Sequence, residues 1–157
     1  MKKFIIISII TIVACIGVAS IIYVNAVNPV KEAKQKAIQT ALEKTELVEA
    51  EDFTLYNGQD TYYVIKGKDD SGTGIYVWVP EKEGKIIVRK QADGITKQEA
   101  INKLKEEKDP QEIISVRLGM LKDFPVWEIY YRSNGDLINY YYVDFKSGDW
   151  LKKIENL

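Results

Sequence analysis

Histidine is absent from this chain, and cysteine occurs once, at Cys15. Without an imidazole there is no Ser-His-Asp or Cys-His arrangement and no histidine metal site. Cys15 lies inside an apolar run, so no thiol nucleophile remains in the polar part of the chain. A glycine-rich phosphate cradle is missing as well. So is any excess of basic charge. The 157 residues carry 22 Lys+Arg against 23 Asp+Glu, and without Lys2 and Lys3 the remainder stands at 20 against 23. A nucleic-acid binder would show a basic face, so that class is set aside. Asp69-Asp70-Ser71-Gly72 has the look of a calcium loop, but counting from Asp69 puts Pro80 at the twelfth place. Counting from Asp70 puts Glu81 there, yet Gly72 and Gly74 then fall where side-chain ligands are needed. The segment reads as a polar hairpin turn. Asp123, Asp136 and Asp149 also fall at turn positions, where aspartate bonds its own backbone, and Asp144 is expected to fix the turn after Phe145. These absences leave no catalytic constellation, no metal site and no cofactor to assign.

What the chain does have is one long run without charge, Phe4 to Val24, behind the Met1-Lys2-Lys3 tip. As a helix it would be about 31 Å long, close to the hydrocarbon thickness of a bilayer. Ser8, Thr11 and Ser20 can return their hydroxyl bonds to carbonyls of the same helix, and Tyr23 suits a headgroup layer. The run is therefore expected to be a single-pass transmembrane anchor in contact with membrane lipid. Two other fates compete. Val24-Asn25-Ala26 is an acceptable cleavage triplet, although the apolar run is long for a signal peptide. Ile12-Val13-Ala14-Cys15 resembles a loose lipobox, although residues 16–24 stay apolar. Lys2 and Lys3 on one side nearly balance Lys31, Lys34 and Lys36 on the other. The two-lysine tip is the usual signal-anchor arrangement, which puts residues 1–3 in the cytoplasm and residues 25–157 outside.

Beyond the run, Asn28-Pro29 is expected to end one helix and open the next. Val30, Ala33, Ala37, Ile38, Ala41 and Leu42 recur at helical spacing to about Leu47. That alanine-rich stripe suits docking on a sheet better than lying on lipid headgroups. Strands are expected at Asp52–Tyr56, Thr61–Lys66, Ile75–Val79 and Lys85–Lys90, the first two joined at Asn57-Gly58. A second helix starts at Thr96, where Glu99 can complete a capping box, and stops at Asp109-Pro110. Four more strands follow, at Glu112–Leu121, Val126–Arg132, Leu137–Phe145 and Trp150–Ile154. The pattern repeats at roughly 65 residues. The fold class is α+β, an anchor followed by two units (28–92 and 93–157), each one helix on an antiparallel sheet of about four strands.

Strand alternation assigns the faces. Trp127, Ile129 and Tyr131 belong under the second helix, and Tyr63 and Ile65 under the first. Tyr62, Tyr130, Tyr140 and Tyr142 fall on the open faces, and tyrosine there offers large contact area at small entropic cost. They are the candidate partner-binding face, unless the two units press their open faces together and bury the rings.

Several segments resemble a known family. Tyr62-Tyr63-Val64-Ile65-Lys66-Gly67, Ile75-Tyr76-Val77-Trp78-Val79-Pro80, Val126-Trp127-Glu128-Ile129 and Tyr142-Val143-Asp144-Phe145-Lys146-Ser147-Gly148 together look like the TseB (YpmB) family of Gram-positive bacteria. Gly94-Ile95-Thr96-Lys97-Gln98-Glu99-Ala100 and the Asp144–Gly148 turn resemble PepSY-type modules. The resemblance covers essentially the whole chain and rests on the combination of segments. It implies two cystatin-like or PepSY-like units outside the cytoplasmic membrane. It further implies a non-enzymatic regulator of cell-wall elongation that binds a class B penicillin-binding transpeptidase. The other function it leaves open is a PepSY-like inhibitor or folding assistant of a secreted protease.

Overall fold

The computed structural model describes the backbone of residues 2–155, and the side chains of these apart from residues 2, 4–10 and 21–27. The chain divides into two units, Met1–Lys36 and Ala37–Leu157. Residues 2–36 of the first belong to α1, a helix over Lys2–Lys44 that passes through Pro29 without a break. A break at Asn28-Pro29 was expected because proline lacks a donor and crowds the carbonyl four residues back. The Lys-, Glu-, Gln- and Ala-rich residues that follow Pro29 are good helix formers and carry the helix on.

The expected anchor needs correction. Among the described residues no helix is long and apolar enough to cross a membrane. Of Phe4–Val24, the side chains of residues 4–10 and 21–24 lie outside those described. The remaining stretch, Thr11–Ser20, would be about 15 Å long, half a hydrocarbon core. Its Ile12, Val13, Ile16 and Val18 are exposed, and Ser20 Oγ donates to the Ile16 carbonyl at 2.8 Å. The transmembrane helix in the expected fold class, the lipid contact through Phe4 to Val24 and the single-pass membrane localisation all rested on that span, and are withdrawn with it.

The second unit holds the end of α1 and everything after it. Thr45 Oγ1 closes the helix by donating to the Ala41 carbonyl at 2.7 Å, and accepts from the Leu47 N–H at 3.2 Å. Four strands follow in simple meander order: β1 (Leu47–Asn57), β2 (Thr61–Asp69), β3 (Gly74–Pro80) and β4 (Ile87–Lys90). This is sheet I. β1 starts earlier than its hydrophobic pattern suggests, because register shifts between Leu47 and Glu49 and between Ala50 and Asp52 interrupt its alternation. Ala37, Ala41 and Leu47 meet Ile65, Ile75, Val77 and Val79 to form one core on one side of sheet I. The alanines let the helix approach closely, which is what the small-residue stripe is for. In the turn after β2, the Asp69 carboxylate accepts from the Ser71 and Thr73 N–H groups at 3.0 and 2.7 Å.

Sheet II repeats the plan. Its helix α2 (Lys97–Glu107) starts with a complete capping box: Thr96 Oγ1 accepts from the Glu99 N–H, and the Glu99 carboxylate accepts from the Thr96 N–H. The strands β5 (Glu112–Leu121), β6 (Phe124–Arg132), β7 (Ile138–Asp144) and β8 (Trp150–Ile154) form a second antiparallel meander. Ala100 and Leu104 of α2 press on Leu118, Trp127, Ile129, Tyr131, Tyr141 and Val143. Trp127 Nε1 donates to the Ile95 carbonyl at 2.9 Å, and the Asp144 carboxylate takes the Lys146 and Ser147 N–H groups. The β5–β6 turn puts both Lys122 and Asp123 at positive φ, +48° and +67°, the geometry of a tight hairpin.

The two sheets share the larger core. Tyr56, Tyr62, Val64 and Trp78, on the side of sheet I away from α1, belong to the same cluster as Trp127, Tyr141 and Phe145. β1 lies beside β5, and there two glycines make room for one ring. A Cβ on Gly119 would come within 2.2 Å of the Tyr56 ring, and one on Gly58 within 2.5 Å. Trp78 Nε1 donates to the Gly119 carbonyl at 3.0 Å, from one sheet to the other. Gly58 is thus under a ring, and the β1–β2 link is a three-residue loop, Gly58-Gln59-Asp60. A two-residue turn at Asn57-Gly58 does not form.

Gly119→Ala should therefore force Tyr56 off its seat and cost about 1–3 kcal/mol as overpacking. Equilibrium urea unfolding checks this, with a lower midpoint expected and an unchanged one contradicting the ring-on-glycine contact.

Candidate functional site

Sheet II has one side packed against α2 and sheet I, and an opposite side that Tyr56 of sheet I covers in part. Register places Leu121, Phe124, Val126, Glu128 and Tyr130 on this outer side, together with Arg117, Tyr140, Tyr142, Lys152 and Ile154 of the neighbouring strands. Here three of the four expected tyrosines come together. Tyr130 stacks on its cross-strand partner Tyr140 with centroids 4.8 Å apart and planes at 27°. Tyr140 stacks on Tyr142 at 6.4 Å and 17°. Tyr130 and Tyr140 are half-buried, whereas Tyr142 is buried. Tyr62 is elsewhere: it is buried in the shared core, on the inner side of sheet I. Alternation assigned it correctly to the side away from α1, but sheet II covers that side. The outer face of sheet II thus carries a ladder of three rings, two of them partly exposed.

Below the ladder lies a residue that the pattern alone did not single out. Glu128 is 3% exposed, and both its oxygens are occupied. Arg117 donates to Oε1 from the adjacent strand, and the Tyr56 hydroxyl donates to Oε2 at 3.2 Å from sheet I. The Arg117 guanidinium also sits over the Tyr56 ring, 5.9 Å from its centroid. Alternation placed Glu128 on an open face, where a carboxylate is ordinary. The only sequence signal for its burial is the neighbouring arginine position, since Tyr56 is 72 residues away. Burial first, and then the Glu128 charge, push the Tyr56 and Tyr142 hydroxyls well above the usual tyrosine range. Burial first and a hydrogen bond to Glu107 next do the same for Tyr141.

Two hollows flank these residues. An inner cleft of about 370 Å³ lies between the sheets, lined by Thr54, Val64, Tyr76, Lys97 and Trp127 among others. Of its cations, Lys66 is paired with Glu51 and Arg117 with Glu128. The second is a groove of about 630 Å³ at the far end of the outer face, beside Phe124 and Leu151. Among the described residues no cluster of carboxylates and thiols could hold a metal ion. What this surface can offer is contact area.

Two outcomes follow. Glu128→Leu should cost about 1–3 kcal/mol, because it leaves Arg117, one-third exposed, without its counter-charge. Arg117→Met with Glu128→Leu should recover much of that loss, as urea unfolding of the single and double variants would read. The second outcome concerns pH. Tyr56, Tyr141 and Tyr142 hold their protons more tightly folded than unfolded. Their contribution is fully present below the unfolded tyrosine pKa of about 10 and is lost as pH rises past it. Tyrosinate absorbance should then show these groups ionising only together with loss of tertiary circular dichroism.

Comparison with known proteins accords with this geometry. Residues 36–80, which span the end of α1 and sheet I through β3, match a family profile described as "Cell wall elongation regulator TseB-like domain". Residues 94–153, which span α2 and sheet II, match one described as "Peptidase propeptide and YPEB domain". The "Probable cell wall elongation regulator TseB" of Bacillus subtilis (strain 168) is 32% identical over 142 residues, covering 90% of this chain and 88% of that protein. A solved structure, the YpmB protein from Bacillus subtilis, is similar with a TM-score of 0.73 and 32% identity, over 77% of this chain and 95% of that one. Neither relative's description names a penicillin-binding transpeptidase. That expected partner is therefore withdrawn, and with it the reading of the chain as a membrane-anchored module acting on a transpeptidase. The chain belongs to the TseB family of cell wall elongation regulators, whose members regulate rather than catalyse, and it is not an enzyme.

Proposed function

We propose that this chain is a PepSY-like inhibitor or folding assistant of a secreted protease, built from two halves, residues 28–92 and 93–157. The observation that carries the reading is the match of residues 94–153 to a peptidase propeptide profile. That segment includes the whole of α2 and most of sheet II. A propeptide-type module works by contact, and the outer face of sheet II is the surface suited to it. The Tyr130–Tyr140 pair supplies half-exposed aromatic area on rigid strands rather than on loops. Packing fixes those rings before a partner arrives, so little side-chain entropy is left to lose on binding.

Titrating the full chain into purified secreted endopeptidases of the serine and metallo classes tests this, with casein as substrate. At least one enzyme should lose initial rate in a dose-dependent manner, or refold from denaturant in higher yield. Tyr140→Ala should weaken that effect roughly tenfold, as truncation of a central aromatic anchor does. Rates and yields unmoved across the panel would remove the reading.

A further inference from the structure

The outermost strand of sheet II, β8, pairs among the described residues with β7 alone. Trp150, Leu151, Lys152 and Lys153 are all exposed, and Ile154 is half-buried. Such an edge leaves backbone N–H and C=O groups free to pair with another strand. A second feature lies against it. The groove of about 630 Å³ has Leu121, Phe124 and Leu151 on its walls, with Phe124 63% and Leu151 42% exposed. Leu151 has a specific reason to be there. Register passes from Val143 opposite Trp150 to Tyr142 opposite Lys152, so Leu151 is the extra residue of a bulge. Bulges break the alternation and re-aim a side chain.

Charge selects among the strands that could fit. The Asp144 carboxylate is taken up by two backbone N–H groups at 2.8 and 2.7 Å. Lys122 and Lys152, on the groove wall, make no ion pair among the described residues. Asp149 is the one other carboxylate on that wall. A second copy of this chain is a poor occupant. Antiparallel pairing of β8 with itself would oppose lysines to lysines, and like charges across a strand pair are destabilising.

We propose that β8 and its groove accept an extended, acidic segment of a partner polypeptide, which adds to sheet II as a fifth strand and seats one apolar side chain between Phe124 and Leu151. Backbone pairing supplies affinity and the groove supplies selectivity, as in other strand-addition complexes. The site adjoins the tyrosine ladder, since Tyr142 is paired with Lys152 and Tyr140 with Ile154. The proposal rests on the reading of the chain as a module that binds another polypeptide.

The test uses the full chain labelled with nitrogen-15 and a short acetylated peptide that alternates glutamate with valine around one phenylalanine. Binding should shift the amide signals of β8 and of Phe124 and slow hydrogen exchange along β8. A counterpart with lysine in place of glutamate should bind roughly tenfold more weakly. Lys122→Glu combined with Lys152→Glu should reverse that order, and Phe124→Ala should weaken both peptides; all three positions are exposed or at a turn, so the fold is kept. Shifts confined to the Tyr130–Tyr140 end, equal binding of the two peptides, or no shift at ~1 mM peptide would overturn the proposal. Peptidase inhibition that survives the double charge reversal would overturn the surface and leave the function standing. Peptide binding without any peptidase inhibited would do the opposite.

Discussion

A carboxylate taken out of water must be paired or it will not stay there, because its desolvation costs several kcal/mol. Glu128 is such a group, and the second unit is arranged around keeping it satisfied. Arg117 reaches it from the neighbouring strand of sheet II, and Tyr56 from the edge of sheet I. The Tyr56 ring can come this close only because Gly58 and Gly119 have no side chains to meet it. Trp78 makes the second tie, its indole N–H donating to the Gly119 carbonyl. Hydrophobic contact alone would hold the sheets together in many orientations. Two directional bonds, with the Arg117 guanidinium over the Tyr56 ring, select one.

That junction decides which surface is left over for function. Sheet I has α1 on one side and sheet II on the other, so Tyr62 is spent in the core. Sheet II has α2 and most of sheet I on its inner side, while the Tyr56 ring of sheet I reaches over the middle of its outer side at Gly119 and Glu128. Its outer face therefore stays accessible at both ends, at the Tyr130–Tyr140 pair and at the groove by β8. Between them, Glu128, Arg117 and Tyr142 form a rigid floor that also belongs to the junction. A module that regulates by contact would gain from this arrangement, since the residues of the proposed binding face sit on strands whose positions are already fixed.

Much of this was legible in the sequence. The alternation of Trp127, Ile129 and Tyr131, the turn residues at Asn134-Gly135 and Ser147-Gly148, and the Thr96–Glu99 box are local signals, and the strands and α2 follow from them. What escaped depends on partners far away in the chain. Glu128 looks solvent-facing until Tyr56 is known to lie over it. Tyr62 looks exposed until a second sheet is set against the first. Leu151 looks like an ordinary strand residue until the register shift beside it is seen. The anchor was a different kind of error. Hydropathy over Phe4–Val24 predicts a span, while the described part of α1 is not long and apolar enough to cross a membrane, and the helix runs on through Pro29.

The most direct check is native-state hydrogen exchange across the whole chain, because the Glu128 junction requires the two sheets to behave as one body. If the Glu128 junction locks them, the slowest amides of β2 and β3 and those of β6 and β7 will exchange with the same opening free energy, through one cooperative unfolding. Sheet I opening at a clearly lower free energy than sheet II would mean that the two halves are separately stable, and would contradict the account.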